Sequence, residues 1–534
     1  MMLTVLIAVP LLGAVLTLLA GRVGIDARSV AIGFAVGTLG LGVAVAALYD
    51  YGDAGMQLTQ SVEWIGVLGA HYAVGVDGLA LVMVMLTVVL VPVVLVAEWH
   101  TGEIQHVPGQ GEPDGAAPRA AEKGRSASFF AWVLGLEAAA LAVFLATDVF
   151  LFYVVFEATL IPAYFLVGGF GGAGRAKAAT KFLVYQLAGG LVMLASVVGL
   201  YVVSAESGPP SYLIGDLAAL DIGVEAGRWL FLGFFVAFAV KAPLFPLHTW
   251  LADTTAAATP GTSVLLICIL DKIGTYGMIR FCLGIFPEAS VWATPVVVTL
   301  ALVSIVYGAL LAIGQDDLLR LVGLTSLSHF GFIVLGIFVL TEQGHTGAIL
   351  YMVNHGVATA ALFLVAGFAI RRSGTASIRA MGGMEKTAPV LAGLFLVAGM
   401  ATLGLPGLAP FVSEFLVMVA AFDYAWYVGA VAVTGIVLAA IYVLWAYQRT
   451  MTGPAKGELV RTGDLDRREI GVMVPLVVAL VGFGFFPSVL TDVIEPVTGT
   501  VIDHVVDGGG EPDDGPVVPA ADVQADTQAE GGQR

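Results

Sequence analysis

The chain has little charge for its length. Lys, Arg, Asp and Glu make up 12% of its 534 residues, whereas soluble proteins usually carry about 25% charged residues. Hydrophobic residues make up 58%, and the mean hydropathy is +0.94. Apolar segments of about 17 to 25 residues, long enough to cross a bilayer as helices, recur along the chain. This composition excludes an ordinary soluble domain and predicts an all-α polytopic membrane protein.

Cysteine is also scarce. The two cysteines, Cys268 and Cys282, are too few to hold an iron–sulfur cluster, and no C-x-x-C pair or structural zinc spacing occurs. The sequence lacks a phosphate-binding G-x-x-x-x-G-K-[ST] motif and a dinucleotide-binding fingerprint. We therefore expect no metal and no cofactor in this chain. Any active transport must be driven by an ion gradient or by a partner protein.

The apolar runs predict fourteen transmembrane segments, which begin near residues 2, 30, 76, 127, 147, 179, 229, 261, 291, 320, 346, 388, 427 and 470. The boundary between the fourth and fifth is the least distinct, because only Thr147 and Asp148 interrupt the apolar sequence there. Alternate loops hold 18 of the 23 Lys and Arg residues, and basic residues are enriched in loops on the inner side of a membrane. The alternation supports an even number of crossings and predicts that both termini lie outside.

The seventh and twelfth predicted segments each carry two prolines beside an ionisable residue. These are Lys241 with Pro243 and Pro246, and Glu414 with Pro406 and Pro410. Proline removes a backbone donor and breaks a helix, and a broken helix beside an ionisable residue is typical of transporters. The two segments are five positions apart in the order of crossings. An odd displacement reverses the direction in which a segment crosses the membrane, so the pattern predicts two inverted five-helix repeats that contain broken helices.

These segments divide the chain into seven parts. They are the N-terminal helices 1–3 (residues 1–100), a flexible cytoplasmic loop (101–126), the first repeat (127–286), the inverted second repeat (287–450), a cytoplasmic loop (451–469), the last helix (470–490) and an acidic external tail (491–534). The first loop and the chain from about residue 507 are rich in Gly, Pro and charged residues, a composition typical of disorder.

Seven ionisable residues fall inside six of the predicted segments: Glu157, Lys241, Asp271, Lys272, His329, His355 and Glu414. A charged side chain at the centre of a bilayer costs at least about 2.5 to 3.5 kcal/mol, and such residues usually mark an ion path. Because an approaching opposite charge favours the ionised form of each group, a small movement would make such a residue release or capture a proton. The set therefore indicates proton transfer.

Static roles for these residues stay open from the sequence. Glu157 and Lys241 could form a fixed ion pair between helices, and each histidine could be a hydrogen-bonded core residue or an axial haem ligand. Lys272 is expected to find its partner elsewhere than at Asp271, since adjacent residues on a helix point about 100 degrees apart.

Three stretches carry a resemblance to the antiporter-like subunits of respiratory complex I. They are "FAVKAPLFPLHTWLADTTAAATPGTSVLLICILDKIGTYGMIRF" at residues 238–281, "FYVVFEATLIPAYFLVGGFGG" and "LPGLAPFVSEF". The resemblance covers nearly all of the predicted segments. Glu414 is similar to the chain M (mitochondrial chain 4) type, whereas the sibling chains L and N commonly have lysine there. The resemblance implies the same inverted five-helix repeats that the prolines predict.

The resemblance also implies residue roles. Glu157 would modulate Lys241, Lys272 would be the central lysine, His329 and His355 would lie on a hydrated axis, and Glu414 would lead to the outer side. These six residues would form the proton-transfer path of a proton-translocating membrane-arm subunit of a bacterial NADH:quinone oxidoreductase in the plasma membrane, driven by quinone reduction in other subunits. The implied partners are other membrane-arm subunits, including neighbouring antiporter-like chains, and the lipid bilayer. FMN, iron–sulfur clusters and quinone would lie in partner subunits.

Related functions share this pattern. A subunit of a multi-subunit Na+/H+ antiporter or of a membrane-bound hydrogenase would have the same fold and most of the same residues. A self-contained solute carrier is less consistent with the sequence, because no polar or aromatic pocket for a solute is evident.

Two features depart from the family pattern. Asp271 stands directly before Lys272, where the family usually has an apolar residue. The stretch "HTWLADTTAAATPG" lacks a proline and a histidine that the family usually has at the inner entrance. An entrance role for Asp253, which lies in this stretch, is therefore not implied.

Overall fold

The computed structural model describes residues 1–101, 116–455 and 463–509. Much of the predicted cytoplasmic loop at 101–126 therefore lies outside the described residues, as do part of the 451–469 loop and the tail beyond residue 509. The described residues form 21 α-helices, two π-helical segments, one 3-10 turn and one β-hairpin. The predicted helical membrane fold is confirmed.

The first half of the chain contains α1 (Met2–Val23), α2 (Ala27–Leu48), β1 (Gln57–Ile65), β2 (Ala70–Val76), α3 (Gly78–Ala97), α4 (Ala116–Leu145), α5 (Val149–Ala158), α6 (Leu160–Phe170), α7 (Arg175–Ser207), α8 (Ile214–Ala218), α9 (Val224–Lys241), α10 (Thr249–Ala257), α11 (Pro260–Val264) and α12 (Asp271–Gly277). The π-helical segments Leu265–Leu270 and Met278–Leu283 flank α12, so that Pro260–Leu283 forms one rod.

The second half contains α13 (Pro287–Ile313), α14 (Leu318–Phe338), α15 (Glu342–Ser373), α16 (Met384–Thr387), α17 (Pro389–Thr402), α18 (Ala409–Tyr424), α19 (Trp426–Met451), α20 (Arg467–Phe485) and α21 (Ser488–Gly509). Twelve helical rods within the described residues are long and apolar enough to cross a membrane. The seventh and twelfth predicted segments are not among these twelve. The exact number of fourteen crossings and the inverted five-helix repeats therefore stay predictions.

The seventh predicted segment is interrupted at its prolines. α9 ends at Lys241, and α10 begins only at Thr249. Pro243 and Pro246 lie in this interval, and a proline cannot donate a backbone hydrogen bond to the preceding turn. The helix therefore ends with a lysine at its last position.

The twelfth predicted segment is interrupted by glycine as well as by proline. α17 is 14 residues long and α18 is 16 residues long. Between them, Gly404 and Gly407 adopt φ angles of 78° and 92°, which residues with a Cβ atom rarely adopt. The chain then restarts as α18, with Pro410 in its first turn, where the missing donor costs nothing.

Three rods form the centre of the bundle. The most apolar windows of Pro260–Leu283, α14 and α15 are 100% buried, compared with 28% for α1 and α2. Four of the predicted ionisable residues lie on these central rods, namely Asp271, Lys272, His329 and His355. The ionisable groups therefore lie on helices that other helices enclose, where each can meet a polar partner instead of lipid.

Hydrogen bonds between loops define two ends of the bundle. The acidic end holds the loops at 49–77, 146–148, 208–223, 284–286 and 339–341, and the basic end holds those at 24–26, 171–174, 258–259, 314–317 and 374–388. At the acidic end, Tyr212 N donates to Gly69 O at 3.2 Å. At the basic end, Leu318 N donates to Ala376 O at 2.9 Å. Each of these two bonds joins loops that the pattern of basic residues also places together. Which side of a membrane each end faces stays a prediction.

The boundary between the fourth and fifth predicted segments is sharp. Asp148 caps α5 by accepting a hydrogen bond from Leu151 N at 2.8 Å, and aspartate is a favoured residue at this position. The predicted break at Thr147 and Asp148 is therefore confirmed. α4 begins at Ala116, inside the segment predicted to be a loop. Ala, Arg, Glu and Lys in this stretch have high intrinsic helix propensity.

A β-hairpin between α2 and α3 adds a small sheet to the predicted helical pattern. β1 and β2 pair antiparallel, with Glu63 opposite His71. His71 N donates to Asp148 Oδ2 at 2.9 Å, which fixes the hairpin against the start of α5. The polar and aromatic sequence "QSVEWIGVLGAHY" is too interrupted to span a bilayer and suits a half-exposed hairpin.

α21 is an additional helix at the acidic end, within the segment predicted to be an external tail. Its buried face carries Val493, Ile494 and Val497, and it packs on α3, α13 and α15. His504 Nε2 lies 3.2 Å from Gly284 O. The apolar residues recur at intervals of three and four, as expected of a helix with one buried face. α21 therefore covers the acidic ends of central helices.

The seating of α21 can be tested with Val497→Asp. Val497 is 3% exposed, and an unpaired carboxylate at this buried position carries a large desolvation cost. We expect α21 to leave its site and to be cut by proteinase K in the detergent-purified protein. Val506→Asp is the matched control, because Val506 is 45% exposed. Equal protection of both variants would contradict the packing described here.

Candidate functional site: a buried line of ionisable groups

Lys241 is fully enclosed at the break after α9. Its side chain is 1% exposed, and Nζ donates to Thr159 Oγ1 at 3.0 Å. Nζ also lies 4.7 Å from the ring centre of Phe156. A hydroxyl and an aromatic face replace only part of the hydration that an ammonium has in water. Lys241 is therefore a buried amine held by weak partners.

Glu157 lies near the end of α5, close to these same partners. It interacts electrostatically with Lys241, but no ion pair of 4.0 Å or less joins the two side chains among the described residues. Glu157 Oε1 is buried and has no hydrogen-bond partner. The fixed ion pair considered from the sequence is thus not formed. The two groups nevertheless interact electrostatically.

Lys272 lies on α12 at the centre of the bundle. It is 0% exposed, and its Nζ lies 2.6 Å from His355 Nδ1 and 4.1 Å from the ring centre of Phe330. When Lys272 is charged, its ammonium has only donors, so a neutral His355 accepts at Nδ1 and carries its own proton on Nε2. The expectation that Lys272 finds a partner other than Asp271 is confirmed.

The two predicted histidines are neighbours. The rings of His329 and His355 lie edge to face, with centres 5.1 Å apart and planes at 76°. Tyr442 from α19 places its hydroxyl 3.3 Å from His329 Nε2. His355 Nε2 is buried and has no hydrogen-bond partner.

Glu414 lies in the first turns of α18 and is 4% exposed. Tyr351 from α15 donates its hydroxyl to Glu414 Oε1 at 2.5 Å. One turn further along α15, Asn354 Nδ2 donates to the Ala409 carbonyl at 2.8 Å and reaches Ser413 Oγ at 3.4 Å. α15 therefore supplies partners both to the carboxylate and to the backbone of the broken helix.

Each of the two glutamates lies directly against a glycine. A Cβ atom at Gly190 of α7 would collide with the Glu157 carboxylate, and one at Gly404 would collide with that of Glu414. The absent side chains leave the space that the carboxylates occupy. Glu157 and Glu414 are thus seated in similar ways in the two halves of the chain.

A cluster of charges lies at the basic end, below the break that follows Lys241. Asp253 on α10 forms ion pairs with Lys181 at 2.7 Å and with Arg320 at 2.9 Å. Asp253 is 36% exposed. The aspartate thus links three helices near the surface. Its ion pairs give it a structural role that the sequence did not predict.

The structure adds four residues to those predicted. Tyr351 contacts Glu414, and Tyr442 contacts His329. Glu137 and His345 are fully buried, and in each of them both polar side-chain atoms lack a hydrogen-bond partner. Tyr351 lies four residues before His355, a spacing that puts both residues on the same face of α15 and could have indicated Tyr351 from the sequence. Glu137 interrupts the fourth apolar run and could have been found in the same way as Glu157. The sequence gives no comparable sign for Tyr442.

The ionisable side chains lie in one region but do not form one unbroken chain. Direct contacts join Lys272 to His355 and Tyr351 to Glu414. No direct side-chain contact joins Lys241 to Lys272 in the part of the chain that the structure describes. In the same residues, no group of three or more His, Cys, Asp and Glu side chains is arranged to hold a metal ion. The arrangement suits proton transfer in separate steps.

Comparison with known proteins shows which proteins this chain is similar to. The family model described as NADH:quinone oxidoreductase/Mrp antiporter, TM, matches residues 146–439, more than half of the chain. All six predicted proton-path residues fall within this match. NADH-quinone oxidoreductase subunit M of Mycobacterium tuberculosis (strain H37Rv) is 46% identical over 552 aligned positions, which cover 99% of this chain and 98% of that protein. The subunit M of Rhodobacter capsulatus is 35% identical and covers 90% of this chain and 91% of its own length.

Two solved structures are similar to this chain in fold. A chain of respiratory complex I from Thermus thermophilus with bound NADH has a TM-score of 0.83 and 30% identity, and covers 95% of this chain and 100% of its own. A chain of the Mrp complex from Dietzia sp. DQ12-45-1b has a TM-score of 0.80 at 22% identity, and covers 95% of this chain and 99% of its own. At that identity the second likeness concerns the fold alone.

The seating of Glu414 can be tested with Gly404→Ala. A Cβ atom at a positive φ costs about 1–2 kcal/mol, and here it would also push the Glu414 carboxylate from its position. Gly453→Ala is the matched control, since Gly453 has a φ of 91° and open space around it. We expect Gly404→Ala to lower the thermal unfolding midpoint of the purified protein more than Gly453→Ala does. Equal shifts would show that the carboxylate does not depend on the glycine.

Proposed function

This chain belongs to the NADH:quinone oxidoreductase/Mrp antiporter membrane family, and from that premise we propose that it is a proton-translocating membrane-arm subunit of an NADH:quinone oxidoreductase. The observation that carries this proposal is the set of ionisable groups enclosed on central helices, where hydrocarbon would otherwise exclude them. The relatives named as subunit M match 99% and 90% of this chain, which supports an oxidoreductase subunit rather than an antiporter subunit of the same family.

In the proposed mechanism a proton enters from the basic end and reaches Lys241. It passes to Lys272 and then to His355, which lies 2.6 Å away. His329 continues the path, and Glu414 releases the proton toward the acidic end. Glu157 controls Lys241 from the side, because an approaching carboxylate stabilises the ammonium and a withdrawing one favours its release of the proton.

The energy for this transfer must come from outside the chain. Moving one charge across a membrane potential of 100 mV costs about 2.3 kcal/mol. We propose that quinone reduction in partner subunits supplies it through contacts that shift Glu157 and the broken helices. FMN, iron–sulfur clusters and quinone would be bound by those partners, and this chain would hold no cofactor.

The proposed location is a bacterial plasma membrane, with the basic end facing the cytoplasm and both termini outside. The positive-inside rule supports this orientation. The neighbours would be other membrane-arm subunits, including further antiporter-like chains, which would contact the exposed apolar faces that do not meet lipid.

A subunit of a multi-subunit Na+/H+ antiporter is the second candidate, and the fold likeness to the Mrp complex favours it. Co-purification separates the two. Recovery of the chain with flavin and iron–sulfur subunits supports the oxidoreductase, and recovery in a complex without redox centres supports the antiporter. A membrane-bound hydrogenase subunit would instead be recovered with hydrogenase subunits.

Proton pumping by assembled variants tests the proposed path. We expect Glu157→Gln and Lys241→Ala each to lower the rate of NADH-driven proton pumping by at least about tenfold, because removing a proton-transfer group typically costs 10²–10⁴-fold at the affected step. The complex should remain assembled. Lys386→Ala, at an exposed lysine in a loop of the basic end, is the control and should pump at the wild-type rate. Wild-type pumping by both path variants would overturn the assignment.

Cysteine labelling tests the orientation. The natural cysteines are buried and should not react with a membrane-impermeant maleimide. Asp53→Cys, at an exposed position of the acidic end, should be labelled in intact cells. Lys386→Cys should be labelled only after the membrane is opened. The reverse pattern would place the basic end outside.

A further inference from the structure

The two buried lysines bond to partners on different elements. Lys241 Nζ donates toward Thr159, at the junction of α5 and α6. Lys272 Nζ lies against His355 of α15 and the ring of Phe330 on α14. Among the described residues, no hydrogen bond joins the two amines or their immediate partners. A proton that travels between the lysines therefore needs a carrier in the space that separates them.

The helices that carry the lysines are in close contact at this point. A Cβ atom at Gly274 of α12 would lie 2.5 Å from Ala242 N and 2.6 Å from Phe238 O. These atoms belong to the last turn of α9 and to the residue that follows Lys241. Asp271 lies three residues before Gly274, a spacing that puts two residues on the same helix face. Asp271 is therefore on the side of α12 that faces the break after Lys241.

Asp271 is buried and poorly satisfied. It is 2% exposed, and its Oδ2 has no hydrogen-bond partner. Its carboxylate interacts electrostatically with Lys272 and with Lys241, yet it forms no ion pair of 4.0 Å or less in the residues that the structure describes. A buried carboxylate without close partners is costly. A structural role would be better served by a direct ion pair with either lysine.

We propose that Asp271 is a proton-relay residue that carries protons from Lys241 to Lys272. The inference rests on the proposed function and adds a carrier to it. In the first step an N–H bond of the Lys241 ammonium breaks and an O–H bond forms on Asp271. In the second step that O–H bond breaks and an N–H bond forms on the neutral Lys272 amine. One proton moves in each step, and no other reactant is needed.

The location of the carboxylate explains why two amines alone do not suffice. The amines of Lys241 and Lys272 bond to different elements, and so each already has a partner away from the other. Asp271 Oδ2 has no hydrogen-bond partner, and its carboxylate interacts electrostatically with both lysines. In the proposed relay, a side-chain rotation or a bridging water joins the carboxylate to each amine in turn.

The test uses three variants of the assembled complex in proteoliposomes, with pumped protons counted per NADH oxidised. Asp271→Asn keeps the shape and removes the titratable group. Asp271→Glu keeps the titratable group. Thr275→Val is the matched control, because Thr275 is buried one turn away and its hydroxyl bonds only to Lys272 O within its own helix. We expect Asp271→Asn to lose at least about tenfold in pumping rate, Asp271→Glu to keep most of it, and Thr275→Val to match the wild type.

Infrared difference spectra recorded during turnover give a readout that a static counter-charge would not move. We expect a protonated-carboxyl band that shifts in 2H2O, disappears in Asp271→Asn and changes position in Asp271→Glu. Should Asp271→Asn not assemble, the change of position in Asp271→Glu still assigns the band, and an unchanged band contradicts the relay. Wild-type pumping by Asp271→Asn would overturn the relay while leaving the proposed function intact. Wild-type pumping by Lys241→Ala would instead count against the proposed function itself.

Discussion

The cost of removing charge from water governs this structure. The side chains of Lys241, Asp271, Lys272 and Glu414 are buried away from solvent, and an unpaired ion there costs several kcal/mol. The protein offsets part of this cost with single, specific partners: a ring nitrogen for Lys272, a phenol for Glu414 and a hydroxyl for Lys241. None of these partners is a fixed opposite charge in direct contact. Each group is held, but none is locked in one protonation state.

The broken helices follow from the same constraint. A helix that ends inside the bundle exposes backbone groups that hydrocarbon cannot satisfy. Side chains from neighbouring helices supply the missing bonds: Asn354 donates to the Ala409 carbonyl, Ser304 Oγ accepts from Phe245 N, and Trp250 donates to the Val240 carbonyl. These contacts make the breaks rigid enough to position an ionisable residue. They tie the first break to α13 and to its own continuation, and the second break to α15.

Much of this arrangement is readable from the sequence, for physical reasons that also set the limits. Lys241 and Glu414 stand out because charge is rare in membrane helices and because each residue lies beside two prolines, a combination typical of transporters. Tyr351 is indicated only by its helical spacing from His355. Tyr442 does not stand out at all, because only the packing of α19 shows that its hydroxyl faces His329. The seating of carboxylates against Gly190 and Gly404 depends on contacts between distant segments, which periodicity does not encode. α21 escaped prediction because its apolar positions are interspersed with acidic residues, and its composition resembles that of the tail that follows.

The gaps in the line are as informative as its contacts. Protons move along hydrogen bonds, so a continuous wire from one end to the other would let the membrane potential discharge, at about 2.3 kcal/mol lost per proton for each 100 mV. Among the described residues, no direct side-chain hydrogen bond joins Lys241 to Lys272, His355 to His329, or His329 to Glu414. In the proposed pump these steps would be completed in turn, and a carboxylate such as Glu157 or Asp271 suits this because its charge favours the ionised form of the nearest amine as it approaches. A line with separated, individually weak contacts is thus a better basis for a driven pump than a fully bonded one.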